Sequence, residues 1–143
     1  MIVRNAEVSD FKGIRKLCVQ ELAYQIAPLR VKSQLDFILD HDDQHWILVA
    51  EDDNQIVGFV HAQLYITLHS EPALNILGLA VSKKYQNNGI GKALMDHVES
   101  EALENDIHQI RLNSGIERVA AHRFYEKIGY EHNKDQARYG KNI

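Results

Sequence analysis

The hydrophobic pattern of this 143-residue chain alternates between the spacing of helices and that of strands. Apolar residues recur every three or four positions within residues 11–22, 31–39, 90–102 and 118–128, which predicts four amphipathic helices. Apolar, β-branched and aromatic runs at residues 2–7, 46–51, 56–68, 75–82 and 107–113 predict strands. Residues from 130 to the end, with 137–141 among them, are predicted to form a closing pair of short strands. The resulting order, β-α-α-β-β-β-α-β-α-β-β, predicts an α+β fold with helices on both faces of a sheet.

Alternation within the longest predicted strand assigns its side chains to two faces. Ile56, Gly58 and every second residue after them are expected on one face, and Val57, Phe59 and their successors on the other. At the other end of the chain, Gly129 is expected to end the last helix as a C-terminal cap.

Composition and charge exclude several classes of protein. With 45% apolar and 25% charged residues, the chain resembles average soluble globular proteins, and its length predicts one domain over residues 1–143. The net charge of −4 argues against a nucleic-acid partner, and no run approaches the eighteen apolar residues of a membrane span. Cys18 is single and the first residues lack a signal-peptide pattern, so a cytoplasmic location is expected.

His41 and His45 in an acidic turn raise the question of a metal site. A turn gives the two rings no reason to converge, so we expect a solvated loop and no metal. Cys18 lies in the apolar stripe of the first helix and is expected to be a small packed residue and not a reactive thiol.

The stretch NILGLAVSKKYQNNGIGK, residues 75–92, joins a buried strand to a helix through a loop that contains Gly89 and Gly91. Glycine lacks a Cβ, so the backbone can turn sharply and an outside group can approach it closely. The first amides of a helix carry partial positive charge and point outward, which makes this turn a seat for phosphate oxygens.

Two known phosphate loops do not match this stretch. A dinucleotide fingerprint needs an earlier glycine and an acidic residue about twenty positions later, where this chain has Arg111. A nucleotide-triphosphate loop needs a hydroxyl after Gly-Lys, where this chain has Ala93.

The remaining pattern, Q-x-x-G-x-G after a buried strand, resembles the pyrophosphate loop of the GNAT superfamily of acetyl-coenzyme A dependent N-acetyltransferases. Residues 121–130, AHRFYEKIGY, resemble the A-x-x-F-Y-E-K-x-G-[FY] ending of the same family. The two motifs stand in the family's chain order, and the resemblance covers essentially the whole chain. It implies a mixed, mostly antiparallel sheet whose central strands, near residues 75–82 and 107–113, splay apart.

The resemblance also implies that acetyl-coenzyme A is the acetyl donor. In the family its pantetheine arm lies between the splayed strands, where it satisfies backbone groups that the splay leaves unpaired. The implied cofactor-binding residues lie in the strand, the loop, the end of the next strand and the last helix: Leu79, Ala80, Val81, Gln86, Asn87, Asn88, Gly89, Ile90, Gly91, Lys92, Asn113, Phe124 and Tyr125.

Tyr125 stands where the family places a tyrosine beside the thioester sulfur. An amine that attacks the acetyl carbonyl forms a tetrahedral intermediate, which collapses by expelling the coenzyme A thiolate. A phenol can protonate that thiolate, so Tyr125 is the expected general acid of a direct transfer in a ternary complex. Many members carry an acidic base in the fourth strand, where this chain has Leu77 and Gly78. A water chain is expected instead, with these candidates for the base: His61, His69, Glu71 and His122.

Several readings of the function stay open on the sequence alone. The leading one is an enzyme that acetylates a primary amine, and the missing strand carboxylate motivates a second, a non-catalytic acyl-coenzyme A binding module. A third reading is an assembly protein that uses a sheet edge, and formation of a homodimer is left open. The sequence does not identify the acceptor.

Overall fold

A computed structural model describes all residues, 1–143. The strands are β1 (Ile2–Asn5), β2 (His45–Asp52), β3 (Gln55–Tyr65), β4 (Ala73–Val81) and β5 (Ile110–Leu112). The α-helices are α1 (Phe11–Glu21), α2 (Pro28–Leu39), α3 (Ile90–Glu104) and α4 (Val119–Lys127), and short 3-10 helices cover Val8–Asp10 and Lys83–Tyr85. The chain divides into two compact units, Met1–Leu112 and Asn113–Ile143.

The first unit contains one sheet with the strand order β1-β2-β3-β4-β5. The first four strands pair antiparallel with their neighbours, and β5 joins β4 in parallel. The parallel pair follows from the crossover through α3, because parallel neighbours need a long connection. The predicted mixed, mostly antiparallel sheet is confirmed.

Helices cover both faces of this sheet, as the sequence predicts. Phe59 of β3 belongs to a buried cluster that α1 and α2 form against the sheet. Its neighbour Gly58 points the other way, and a Cβ built there would lie 3.2 Å from side-chain atoms of Ile90 and Leu94 in α3. Adjacent strand residues face opposite sides, so α3 lies on the face opposite α1 and α2.

A bulge in β3 changes the predicted alternation. The pairing of β2 with β3 steps over Val57, so β3 carries one extra residue there. The bulge puts Ile56 on the face of Phe59, where it packs against α1, and a Cβ at Gly13 would lie 2.7 Å from the Ile56 Cβ. The expected placement of Ile56 beside Gly58 is therefore wrong, because an extra residue shifts the alternation by one.

Three predicted strands are longer than the observed ones, and the first of them, expected to reach residue 7, ends at Asn5. The strand expected to reach residue 68 ends at Tyr65, which pairs with Ala73, the first residue of β4. Beyond that pair no strand partner is present, and Ile66 and Leu68 are 68% and 106% exposed. The strand expected over residues 107–113 is limited to β5, because β4 pairs with it over only three positions.

The second unit consists of α4 and the segment that follows it. Gly129, at φ 101°, ends the helix in a Schellman arrangement: the Tyr130 amide donates to the Tyr125 carbonyl at 2.9 Å, and the Gly129 amide donates to Glu126. The predicted cap is confirmed. The predicted closing strands are wrong, because residues 131–143 form no strand and are exposed throughout. Their largely polar sequence offers no apolar face to bury.

The structure shows what surrounds His41, His45 and Cys18, the residues considered above for metal binding and thiol chemistry. His45 opens β2 and does not lie in the turn, while the Nδ1 of His41 lies 2.7 Å from the carbonyl oxygen of Phe37. No group of three histidine, cysteine or acidic side chains is arranged to hold a metal ion. Cys18 is half-buried beside the cluster of α1 and α2, and burial raises the pKa of its thiol. No helix combines the length and apolar content needed to cross a bilayer.

Candidate active site

The strands β4 and β5 separate after a short paired stretch. Their pairing covers Leu74 with Ile110, Asn75 with Arg111, and Ile76 with Leu112, and then stops. β4 continues to Val81 without a partner on that side, so the backbone of its second half borders a gap in the sheet. The predicted splay of the central strands is confirmed.

A bulge in β4 lies at the point where the strands separate. His61 pairs with Gly78 and Ala62 with Ile76, so Leu77 is an extra residue, and it is 48% exposed. A bulge bends the strand that carries it, which turns β4 away from β5 at this point. The sequence did contain a signal for it, because a glycine inside a strand often marks a bulge.

The backbone groups that face the gap belong to Leu79 and Val81. The Ser82 amide donates to the Val57 carbonyl of β3 at 2.8 Å. Antiparallel hydrogen bonds fall on alternate residue pairs, so Ala80 also bonds to β3, and its neighbours Leu79 and Val81 point away from it. The Val81 carbonyl accepts a hydrogen bond from Gln86 Nε2 at 3.0 Å on that outer side.

The loop after β4 turns through two left-handed residues. Asn87 has φ 66° and Gly89 has φ 78°, and asparagine and glycine tolerate this region better than other residues do. α3 begins after Gly89 with no side-chain cap, and its first hydrogen bond runs from the Ala93 amide to the Gly89 carbonyl at 2.9 Å. A Cβ built at Gly89 meets nothing within 4 Å, so this side of the turn is open. The amides of the first helical turn, Ile90 to Lys92, have no acceptor earlier in the helix.

The polar side chains of this loop bond within the protein. Gln86 Nε2 lies 3.3 Å from Glu21 Oε2 at the end of α1, in addition to its bond with β4. Asn88 Nδ2 donates to a backbone carbonyl three residues earlier at 3.2 Å. Lys92 Nζ forms an exposed ion pair with Asp96 at 2.8 Å. These contacts fix the turn, so its backbone amides are the groups best arranged for an anion.

Tyr125 and Phe124 lie in α4, within the second unit. Their rings meet edge to face with centroids 5.2 Å apart, and the Tyr125 ring also contacts that of Tyr130 at 6.0 Å. Burial raises the pKa of Tyr125 above its usual value of 10.0. The phenol is therefore protonated at neutral pH, as a general acid must be. Asn113, which the sequence also nominates, is exposed directly after β5.

The four candidate bases occupy different places. His61 lies on β3 in register with Gly78, beside the bulge of β4. His69 and Glu71 are exposed in the connection between β3 and β4, and His122 in α4 lies with its Nε2 2.9 Å from the Gly115 carbonyl. We call the point near Leu77 where β4 and β5 separate the fork. Of the candidates in the first unit, His61 is the one that lies at the fork.

His61 forms a pair with a second histidine that sequence reasoning did not connect to it. Its Nε2 lies 2.9 Å from Nδ1 of His45 on the neighbouring strand. Burial and the nearby His45 lower the pKa of His61 to about 4, and burial also lowers the pKa of His45. Both rings are therefore neutral at pH 7, and one donates to the other.

Comparison with known proteins identifies the family. Residues 10–130 match the model described as "Acetyltransferase (GNAT) family". The chain belongs to this family. It is 27% identical over 132 residues to an N-acetyltransferase of Chlorobaculum tepidum, covering 90% of this chain and 74% of that protein.

Two further comparisons show how varied the similar proteins are. The chain is 29% identical over 87 residues to human N-acetylaspartate synthetase, covering 61% of this chain and 27% of the synthetase. It matches the fold of the aminoglycoside N-acetyltransferase AAC(6')-Iy, solved with a coenzyme A bisubstrate analogue, at a TM-score of 0.85 and 18% identity over 99% of this chain and 98% of that one. The chain spans less than half the length of most curated relatives that it matches.

Proposed function

We propose that this protein transfers an acetyl group from acetyl-coenzyme A to a primary amine by direct attack in a ternary complex. The observation that carries the proposal is the fork at Leu77, where a bulge separates β4 from β5 and exposes a strand edge. The outward amide and carbonyl of Leu79 and the outward amide of Val81 are suited to the amide-rich pantetheine arm, while the Val81 carbonyl already accepts a hydrogen bond from Gln86. The backbone amides of the turn from Asn87 to Gly91 are suited to the pyrophosphate.

The chemistry needs one bond formed and one broken. The amine nitrogen forms a bond to the acetyl carbon, and the carbon–sulfur bond breaks to release a thiolate. In our proposal the Tyr125 phenol donates its proton to that sulfur and is reprotonated from water. This role requires a protonated phenol, and a tyrosine whose pKa is at or above 10.0 is protonated at neutral pH.

The proton lost by the amine needs an acceptor, and the strand has no carboxylate. We assign the path to water through His61 and His45, because this neutral pair lies beside the fork. An imidazole with a pKa near 4 is a weak base. The pair is therefore suited to relaying a proton to solvent and not to holding it.

We also propose that residues 1–143 act as one acetyltransferase domain. The match of the family model across both compact units supports this reading. Cytoplasmic location and homodimer formation remain predictions. The relatives do not select the acceptor, since one is named for N-acetylaspartate and another for aminoglycosides.

Release of coenzyme A in the presence of a broad panel of amines, measured beside acetyl-coenzyme A binding by calorimetry, tests the proposal. We expect both binding and turnover on at least one amine. Tight binding with no turnover on any amine would instead support the non-catalytic module. Absence of binding would contradict both readings.

A further inference from the structure

The last residue of α1, Glu21, contacts the loop that follows β4. One carboxylate oxygen lies 3.3 Å from the backbone nitrogen of Lys83, and the other lies 3.3 Å from Gln86 Nε2. These partners are 62 and 65 residues away in the chain. The other hydrogen bonds described for residues 83–89 stay within the loop, β4 and α3. Glu21 is therefore the group that ties this loop by hydrogen bonds to another helix.

The side chain of Gln86 connects Glu21 with the unpaired edge of β4. Its amide nitrogen carries two hydrogens and has two acceptors, the Glu21 carboxylate at 3.3 Å and the Val81 carbonyl at 3.0 Å. Both partners can only accept, so the nitrogen of the amide and not its oxygen must face them. Gln86 is exposed, so these two hydrogen bonds and not burial hold its side chain in place.

The end of α1 lies along the half of β4 that borders the gap. A Cβ built at Gly78, next to the fork, would lie 4.0 Å from Cδ1 of Leu22, the residue after Glu21. Glu21 itself contacts the loop that begins after Val81. The two neighbouring residues of α1 therefore reach both ends of the strand segment that we assign to the donor.

The charge of Glu21 is unfavourable at this position. The C-terminal end of a helix carries partial negative charge, and the last turn of α1 contains no basic residue to offset a carboxylate there. The pyrophosphate proposed at the start of α3 would bring further negative charge to the loop that Glu21 contacts. A benefit of Glu21 to donor binding must therefore come from its hydrogen bonds and not from its charge.

The turn that we assign to the pyrophosphate starts directly after Gln86. Asn87 and Gly89 adopt left-handed backbone conformations there, and glycine also has access to many others. Ordering such a turn when a ligand binds subtracts from the affinity, so contacts that order it beforehand add to the affinity. A contact that fixes Gln86 fixes the residue from which the turn starts.

We propose that Glu21 is a positioning residue for the donor, an inference that rests on the donor site proposed above. Glu21 holds Gln86 on the edge of β4 and thereby keeps the turn from Asn87 to Gly91 in the arrangement that binds the pyrophosphate. In this role Glu21 acts through Gln86 and not on the donor itself.

Calorimetric titration of acetyl-coenzyme A into Glu21 variants tests this role. Glu21→Gln keeps the length of the side chain but has one acceptor oxygen for two donors, and Glu21→Leu has none. We expect at least about threefold weaker binding for Glu21→Gln and about tenfold for Glu21→Leu, in variants that unfold cooperatively in urea. Glu104→Gln, which removes the same charge from the last residue of α3, should bind as the parent does.

Two further measurements show whether Glu21 acts through Gln86. Gln86→Ala removes the contact, so Glu21→Gln should no longer weaken binding in a Gln86→Ala background. Hydrogen exchange of the amides of residues 83–89, measured before donor is added, should be faster in Glu21→Leu than in the parent.

The results separate failure of this inference from failure of the donor site. If folded Glu21→Gln and Glu21→Leu bind acetyl-coenzyme A as tightly as the parent or more tightly, as loss of a negative charge alone predicts, the role of Glu21 is overturned and the donor site stands. An equal loss from Glu21→Gln with and without Gln86 also overturns that role, as does unchanged hydrogen exchange in Glu21→Leu. If the unaltered protein does not bind acetyl-coenzyme A, both the role and the donor site are overturned.

Discussion

At the scale of single residues, the position of Tyr125 follows from the end of its helix. The left-handed Gly129 lets the chain turn back, so the Tyr130 amide bonds to the Tyr125 carbonyl and the two rings come into contact. The motif FYEKIGY therefore encodes a helix cap as well as a tyrosine. The identity of the tyrosine as a general acid came from the family resemblance, whereas its raised pKa and its ring contacts come from the structure.

Replacing Tyr125 with Phe removes the hydroxyl and keeps the ring. If the phenol protonates the leaving thiolate, turnover should fall by about one hundredfold or more, while the acetyl-coenzyme A dissociation constant changes by less than about threefold. Steady-state kinetics and calorimetry on the same preparation measure both. Tyr139→Phe, at an exposed tyrosine, is the matched control, and a turnover of Tyr125→Phe near that of the control would assign protonation to water.

His61 predicts a pH dependence of stability. Its pKa in the folded protein is about 4, below the ordinary 6.5, so between these pH values the unfolded chain binds a proton that the folded protein does not. Stability should therefore fall as pH drops from 6.5 to 4 and should not fall further from this source at lower pH. The full loss is on the order of 3 kcal/mol.

Urea unfolding at a series of pH values checks this expectation. His61→Gln should flatten the dependence in that window, whereas His69→Gln, at an exposed histidine, should leave it unchanged. If the free energy of unfolding changed with pH in the same way in the unaltered protein and in His61→Gln, the lowered pKa of His61 would be contradicted. The acidic groups contribute at lower pH, since Asp10, held by Arg4, has its pKa lowered from 3.8 despite its burial.

At the scale of elements, periodicity predicted where helices and strands lie but not how the strands are registered. The four helices and five of the predicted strands are present, and most of them pack buried apolar side chains in the core, although α4 has no buried residue. The hydrophobic pattern did not predict the two bulges, at Val57 and Leu77. An extra residue leaves the composition of a strand unchanged and alters only which residues pair across neighbouring strands. The predicted closing strands failed because alternation was weak and no partner strand supported them.

The same limit applies to the candidate site. The loop at residues 86–92 was predictable because glycine and asparagine are needed at its left-handed positions. The His45–His61 pair was not, since the two histidines are sixteen residues apart in sequence and only the register of β2 with β3 brings their rings together.

The bulge at Val57 predicts an unusual response to Gly13→Ala in α1. Alanine favours helix by about 1 kcal/mol over glycine, but its Cβ would lie 2.7 Å from the Ile56 Cβ, and such overpacking typically costs about 1–3 kcal/mol. We expect a net loss of stability in urea unfolding. In an Ile56→Gly background, which removes that Cβ, the same change should become stabilising, and an equal loss in both backgrounds would contradict the close approach of α1 and β3.

At the scale of the whole molecule, net charge does not explain binding of a phosphorylated donor. The chain carries −4, so its overall field does not attract an anion such as coenzyme A. In our proposal the affinity for this donor comes from local groups, namely the uncapped start of α3 beside the open edge of β4. The account therefore depends on this one junction between strand, loop and helix.

Calorimetric titration of acetyl-coenzyme A into the unaltered protein and into Gly91→Val tests that dependence most directly. Gly91 lies in the first turn of α3 and is not among the left-handed glycines, so valine there should block the approach of the pyrophosphate without straining the backbone. We expect at least about tenfold weaker binding in a variant that unfolds cooperatively like the parent, whereas Gly140→Val, at an open glycine, should bind as the parent does. Equal affinity of folded Gly91→Val and parent would contradict the assignment of this loop as the pyrophosphate site.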